Sequence, residues 1–367
     1  NDDKTFYKDW HWKSHVLWFD DDTSSTFLLD QDTQNSILWG NNLSDNQYIQ
    51  TGLTVNYDWY GSTNSRVEDS ADEYITTAYS RLTLPISDQL KFNLGGRYAL
   101  QGINLTPNEG ANSYQHNDVF VNEQSFDWKP SDTLRFYLRR DTNYRMPKGK
   151  EELWSSDGSV NELNMQTGTA YEAGMSYKRD KNAINLGFYQ LDIDNELAYS
   201  VLPLPYGELT NLPPTRRIGM DLTTESYLSK QWSATYEMTL VDPTFRSGAY
   251  QGNQIPAVSK FNGGLGLTYH ELYQQWFATI TETYHGDQYA SDDLANSEPK
   301  MPGYWLTNVN FKKQWNVMSL GLRIDNVFNN HYVRYAQYQS FDGSIQYYPA
   351  DGITVLATLG FNLENIP

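Results

Sequence analysis

Apolar residues fall on every second position in several segments of this sequence, and that pattern limits the folds open to the chain. It is clearest at residues 317–325 and 353–361. In the first segment the apolar residues are Met318, Leu320, Leu322 and Ile324. In the second they are Ile353, Val355, Ala357, Leu359 and Phe361. A period of two with one apolar face predicts β-strands that each keep one side away from water. A soluble β-sandwich gives the same pattern, so the alternation alone does not decide the fold class.

Short and long connections between these segments alternate along the chain. Short polar turns are predicted at 86–89, 129–132, 178–182, 229–231, 270–274 and 313–316. Long polar loops are predicted at 60–72, 101–116, 145–165, 197–214, 242–255, 286–302 and 329–350. An outer-membrane barrel has short periplasmic turns and long extracellular loops, whereas a soluble sandwich has no reason to collect every long loop at one end. We therefore predict an all-β fold, a transmembrane antiparallel β-barrel in which about sixteen strands are visible.

The amino-acid composition and the net charge exclude several classes of function. The 367 residues include no cysteine, which excludes a disulfide framework, a thiolate metal site and a cysteine nucleophile. The formal net charge of −18 argues against a nucleic-acid partner, which needs a basic surface. No stretch approaches the ~18 apolar residues of a membrane helix, but a transmembrane strand needs only ~9–11 alternating residues. No signal peptide is recognisable, and Asn1 is read as either a mature N-terminus or the start of a fragment.

Five segments combine into an ordered set of motifs. They are LKFNLGGRYAL (90–100), YRMPKGKEELW (144–154), NELNMQTGTAYEAGMSY (161–177), INLGFYQLDIDNEL (184–197) and DNVFNNHYV (325–333). Together they resemble the barrel domain of TonB-dependent outer-membrane receptors, the active importers of siderophores, haem and cobalamin. The resemblance covers roughly residues 73–363. Tyr144 stands where the family has phenylalanine, Glu162 replaces a proline, and six residues follow Phe361 where the family typically ends on an aromatic.

The resemblance implies a larger assembly than this sequence displays. The family barrel has about 22 strands, so residues 1–363 are interpreted as the C-terminal portion of a barrel, with 364–367 as a tail. The family's N-terminal plug and its TonB-binding box are not recognisable in this chain. The implied partners are a ferric siderophore or similar small chelate, the TonB complex acting through the plug, and the lipid and lipopolysaccharide of a Gram-negative outer membrane. No histidine lies within 145–165, where family haem receptors carry an iron ligand, so haem is disfavoured.

Four residues are predicted to contact the ligand: Arg145, Trp154, Arg334 and Tyr335. The resemblance places the first pair in one extracellular loop and the second pair in another, both overhanging the mouth of the barrel. Arginine forks and aromatic faces suit a catecholate or carboxylate chelate of iron. The alternative interpretation is that the aromatics belong to an interfacial girdle and that Arg334 contacts lipopolysaccharide phosphate.

Catalytic and metal sites are not predicted. His11 and His15 lie four residues apart, but their surroundings indicate a strand and a third zinc ligand is lacking. The acidic run at 19–25 lacks the spacing of a calcium loop. We find no nucleophile elbow and no phosphate-binding glycine loop, so we expect neither an enzyme nor a resident cofactor.

Two other functions stay open on the sequence. A passive porin of sixteen strands would close without a plug, although porins do not normally show the motifs at 144–177 in this order. A soluble all-β carbohydrate-binding protein would fit the aromatic content of 15% but not the alternating loop lengths. A plug of ~150 residues upstream of Asn1 would support the importer, and a signal peptide there would support the porin.

Overall fold

The computed structural model describes the backbone of residues 4–20, 25–44, 47–63, 68–153, 155, 158–203, 207–271, 273 and 275–361. Side chains are described from Tyr48 onward in these ranges, apart from those of 62, 63 and 68. The structure of these residues is almost entirely β.

The first nine strands alternate in direction along the chain. They are β1 (Lys4–Asp20), β2 (Ser25–Ser44), β3 (Gln47–Thr63), β4 (Glu68–Pro85), β5 (Leu90–Thr106), β6 (Ser113–Ser131), β7 (Leu134–Arg145), β8 (Gln166–Arg179) and β9 (Asn182–Asp194). A single helical turn, α1 (Gly149–Glu152), lies between β7 and β8.

The remaining strands follow the same up-and-down course with two small hairpins inserted. They are β10 (Leu197–Ser200), β11 (Glu208–Asn211), β12 (Thr215–Tyr227), β13 (Trp232–Phe245), β14 (Phe261–Glu271), β15 (Trp276–His285), β16 (Tyr304–Gln314), β17 (Met318–Asp325), β18 (Val333–Gln339), β19 (Ser344–Pro349) and β20 (Thr354–Phe361). Among the described residues, no helix is long and apolar enough to cross a membrane.

Sixteen of these strands form one sheet in which each strand neighbours the next main strand in sequence. The order runs from β1 to β9, then through β12 to β17, and ends at β20. The β10–β11 and β18–β19 pairs form separate two-stranded sheets inside long connections. The prediction of an all-β fold with about sixteen antiparallel strands is therefore confirmed.

The chain divides into two compact units. The first comprises residues 1–128, 137–171 and 191–215, and the second comprises 129–136, 172–190 and 216–367. In the first unit a small apolar cluster forms around Ala71, Ile103, Leu105 and Leu153, with Tyr60 and Val160 packed against it. In the second, Ala290, Met301 and Ala336 form a cluster with Val333, Tyr338 and Ile345.

Two predicted loops are shorter than expected. The polar run at 60–72 is predicted as a long loop, but β3 continues to Thr63 and β4 begins at Glu68. The run at 101–116 is also predicted as a loop, but β5 continues to Thr106 and β6 begins at Ser113. Polar residues continue in strands here because they find partners on neighbouring strands: the Tyr57 hydroxyl donates to Asp72 at 2.6 Å. Two other predicted loops, 197–214 and 329–350, contain the hairpins named above. The short turn at 86–89 is found as predicted, between β4 and β5.

Candidate functional site

A polar cavity of about 780 Å³ lies in the first unit. Strands β3 to β7 line it, together with the first residues after β7. Its charged lining residues include Arg81, Arg97, Glu123, Arg139 and Asp141. The size is that of a typical small-molecule cavity, but the lining is far more polar than is usual for a drug-like ligand.

The charges of this cavity are arranged in pairs along its wall. Arg81 lies 3.5 Å from Glu123, and Arg139 lies 3.3 Å from Asp141. The guanidinium carbon of Arg97 lies 5.6 Å from the centre of the Tyr79 ring, within the range of a cation–π interaction. A wall with both signs of charge suits a polar partner that offers hydrogen bonds.

The segment that follows β7 is fixed by its own charged residues. Arg145 forms an ion pair with Glu151, and the Lys148 amide donates to the same carboxylate at 3.0 Å. Pro147 fixes its own φ and removes a backbone donor, which ends strand pairing at this point. The structure thus gives Arg145 a local structural role, and its role as a ligand contact stays a prediction. Trp154, its predicted companion, lies outside the described residues.

Gln101 ties this segment to the wall of the sheet. Its side-chain amide donates to Glu73 at 2.8 Å and to the Pro147 carbonyl at 2.7 Å. Its oxygen accepts a hydrogen bond from Asn117 at 2.9 Å. The Gly149 amide also donates to Glu73, at 3.3 Å. Gln101 is completely buried, so each of these bonds replaces hydration that the group has lost.

Arg334 lies in the second unit, near a row of three tilted rings. The His285 and Tyr304 ring centres are 5.0 Å apart, and those of Tyr304 and Tyr332 are 4.3 Å apart. The positive charge of Arg334 acts on both His285 and Tyr304. We call these four residues the Arg334 cluster. His285 and Tyr304 thus join the surroundings of Arg334, and the role of Arg334 as a ligand contact stays a prediction.

Tyr335 holds the β18–β19 hairpin to the preceding connection. Its hydroxyl is 2.7 Å from the Ser291 hydroxyl, and its ring centre is 5.4 Å from that of Tyr348. Ser291 also forms a parallel bridge with Gln337. The register of β18 against β19 shifts between Val333 and Tyr335, so Arg334 lies at an irregularity of the strand.

Sequence reasoning did not find His285 or Tyr304. They end β15 and begin β16, where they pair directly as Cα partners. Both are more than 25 residues from Arg334 in the sequence, and no local spacing links them to it.

A second cavity in this unit, of about 490 Å³, is lined by polar side chains that include Thr223, Glu225, Thr235 and Glu237.

A family comparison decides the identity of the fold. Residues 2–327 match the model of the TonB-dependent receptor-like β-barrel. The chain belongs to this family. The match agrees with the resemblance carried by the motifs, and it extends that resemblance toward the N-terminus.

Solved structures of TonB-dependent receptors share the fold of this receptor barrel. The ferric yersiniabactin uptake receptor FyuA from Yersinia pestis superimposes with a TM-score of 0.76 at 15% identity, over 97% of this chain and 58% of FyuA. The copper transporter OprC superimposes with a TM-score of 0.77 at 16% identity, over 92% of this chain and 57% of OprC. The ferric-catecholate import receptor Fiu from E. coli K12, in its closed form, superimposes with a TM-score of 0.74 at 13% identity, over 98% of this chain and 62% of Fiu. At these identities the likeness shows a shared fold, and this receptor barrel spans less than two thirds of each neighbour.

No curated protein matches the sequence of this receptor barrel significantly. The family is one of transport receptors, and its barrels are located in the Gram-negative outer membrane. In the described part of the chain, no group of three or more His, Cys, Asp or Glu side chains is arranged to hold a metal ion. The side chains of His11, His15 and the acidic run at 19–25 lie outside the described residues.

Proposed function

We propose that this chain is the barrel of an active importer that carries a ferric siderophore, or a similar small metal chelate, across the outer membrane of a Gram-negative bacterium. Membership of the TonB-dependent receptor family supports uptake coupled to TonB. Two of the structural neighbours described above are receptors for ferric chelates, which supports iron as the cargo. TonB would act through a plug, as it does in the family.

The Arg334 cluster is the observation that carries the proposed substrate class. The rings of His285, Tyr304 and Tyr332 form a tilted row, and Arg334, which is exposed to water, acts with its charge on two of them. Aromatic rings give a planar ligand a large contact area at little entropic cost. The forked donors of arginine match carboxylate and catecholate oxygens. An anionic, planar chelate fits this combination.

The other three candidate residues support the proposal less directly. Arg145 would have to exchange its ion pair with Glu151 for a contact with the ligand. Tyr335 would bind with its ring edge while its hydroxyl stays with Ser291. Trp154 is retained on the basis of the sequence motif alone. We propose Arg334 as the first residue to test.

Family membership favours the importer over the passive porin and the soluble carbohydrate-binding protein. A porin equilibrates its solute and needs no energy source, so deletion of TonB separates the two membrane functions. We expect cells without TonB to bind the chelate at their surface but to accumulate none of its iron. Accumulation at an unchanged rate in those cells would support the porin.

Substitution of Arg334 tests the substrate class. Whole cells that express the intact protein are offered a panel of radiolabelled ferric chelates of catecholate, carboxylate and hydroxamate types, together with copper(II). We expect Arg334→Ala to weaken binding of the cognate anionic chelate about tenfold or more, as loss of a charge-assisted contact does. Arg334→Lys should restore part of the affinity because it keeps the charge.

Arg323→Ala is the matched control. Arg323 is an exposed arginine of the same unit and is paired with Asp325 on its own strand at 2.8 Å. Its loss should leave binding of every chelate unchanged. If Arg334→Ala also leaves all of them unchanged but removes lipopolysaccharide that co-purifies with the protein, the alternative role of Arg334 as a lipid-phosphate contact is correct.

A further inference from the structure

The segment after β7 packs directly onto the sheet of the first unit. We define residues 146–153 as the α1 segment. Helix α1 contacts β4 and β5, and a Cβ at Gly149 would overlap that of Ala71. Leu153 completes the apolar cluster with Ile103 and Leu105. The α1 segment is therefore docked by close backbone approach and by a small apolar contact.

A carboxyl group is buried within this docked interface. Glu152 has no exposed surface, and neither of its carboxyl oxygens has a hydrogen-bond partner of normal geometry among the described residues. An ionised carboxylate in such a position would lose its hydration and gain nothing in return. This environment therefore favours the protonated, neutral form of Glu152.

The groups around Glu152 come from four elements. Glu73 faces it from β4, Gln115 from β6, the Leu163 amide from the connection to β8, and Glu151 from its own turn. Burial is the largest cause that raises the pKa of Glu152, to about 8, and the charges of Glu73 and Glu151 raise it further. The Leu163 amide and Gln115 act in the opposite direction, but burial outweighs them.

Glu73 is the neighbouring carboxyl with well-formed hydrogen bonds. It accepts hydrogen bonds from Gln101 and from the Gly149 amide, and both favour its ionised form, whereas its burial opposes ionisation. The positive charge of Lys148 also acts on it, while the Lys148 ammonium lies 3.9 Å from Asp58. The two neighbouring carboxyls thus have different environments, because Glu73 has hydrogen bonds of normal geometry and Glu152 has none among the described residues.

We propose that the α1 segment is a proton-dependent latch, docked on β4 and β5 while the Glu152 carboxyl is protonated and released when that carboxyl ionises. Ionisation places a buried negative charge beside Glu73, and release returns it to water. Met146 and Lys148 line the polar cavity, so release of the segment opens one side of its wall. The latch acts whatever the transported ligand is.

The direction of the pH effect follows from proton binding. The docked state binds the proton up to about pH 8, whereas a solvated glutamate binds it only up to its ordinary value of 4.5. Between these two values the docked state holds more protons, so docking weakens as the pH rises. The ratio of released to docked segment should rise about tenfold per pH unit across this window, and it should level off above it.

Spin labelling measures this ratio directly. The chain has no cysteine, so Lys150→Cys gives a single labelling site on the exposed side of α1. The intact protein is labelled in isolated outer membranes, and its spectra are recorded from pH 6 to pH 9.5. We expect a mobile component that grows with pH and reaches a plateau above about pH 8. Glu152→Gln and Glu152→Met should both abolish this growth and keep the label immobile, because neither side chain can ionise.

Glu162→Gln is the control, since it removes an exposed carboxyl of the connection to β8 and should keep the transition. A spectrum independent of pH in the unsubstituted protein overturns the proposal. So does a transition that persists in both Glu152 variants, because another group would then be titrating. A label that is mobile at pH 6 in both variants overturns it as well, since neutrality at position 152 would then not be what holds the segment.

Discussion

The ring of Tyr79 covers the backbone of Gly52, its cross-strand partner on β3. A Cβ at Gly52 would overlap two carbons of that ring and its hydroxyl oxygen. Arg97, the partner of Tyr79 on β5, places its guanidinium over the same ring. The missing side chain at position 52 therefore lets an aromatic ring lie along the wall of the polar cavity and hold a cation there.

Gly52→Ala should destabilise the protein because its methyl group displaces Tyr79. We expect a loss of about 1–3 kcal/mol, the usual cost of overpacking. Thermal unfolding of the purified protein measures it. Gly321→Ala is the control, because a Cβ at Gly321 would meet its nearest neighbour at an ordinary 3.7 Å. If the two variants unfold at the same temperature, Tyr79 can move at no cost and the packing argument fails.

Gln101→Met should loosen the attachment of the α1 segment to the sheet. The substitution keeps the size of the side chain but leaves Glu73, Asn117 and the Pro147 carbonyl without their partner. Each buried group that loses its bond costs about 1–3 kcal/mol, so we expect a total loss of roughly 3 kcal/mol or more. Denaturant unfolding monitored by tryptophan fluorescence provides the measurement.

The matched control for this substitution is Gln346→Met, at an exposed position of β19. It should leave the unfolding midpoint unchanged within error. Equal midpoints for the two variants would show that water replaces the bonds of Gln101 in the folded protein.

Strand β17 should present its two faces to different environments. The Arg323 side chain donates to Asp325, two residues along the strand, so both lie on one face at 2.8 Å. Leu322 lies on the other face, where a charge at the bilayer midplane would cost about 2–4 kcal/mol. We expect a water-soluble thiol reagent to label Arg323→Cys in intact outer membranes much faster than Leu322→Cys. Faster labelling at position 322 would reverse the assignment of faces.

The turn of the β18–β19 hairpin should weaken in acid. The Ser344 amide donates to the Asp342 carboxylate at 2.9 Å, and this bond lowers the pKa of Asp342. A lowered pKa contributes stability that is fully present above the ordinary value and is lost as the pH falls through the lowered one. We therefore expect the protection of the β18 and β19 amides against hydrogen exchange to fall in acid, and to be lower at neutral pH in both Asp342→Ala and Asp342→Asn than in the unsubstituted protein. Unchanged protection in both variants would assign the turn to Gly343 alone, whose φ is +75°.

Local sequence was sufficient to predict the strands and several turns. The alternation around Leu322 and the turn at 86–89 both depend on residues that are close in sequence, and both are found where they were expected. The polar run at 60–72 does not form the long loop that its polarity predicts. In a sheet with a polar face, a residue such as Asp72 forms a hydrogen bond with a residue of the neighbouring strand. That residue is too far away in the sequence to be included in a local hydropathy window.

The sequence by itself determined the β architecture, through its period of two, and the family, through the ordered motifs between Leu90 and Val333. Only the tertiary structure decided which side chains meet. Arg145 was predicted as a ligand contact, and the fold pairs it with Glu151. His285 and Tyr304 join Arg334 only because β15 and β16 end beside the β18–β19 hairpin. Glu152 reads as one more acidic residue until α1 docks and removes its water. Burial and long-range contacts arise only when the chain folds, because they involve residues that are far apart in the sequence.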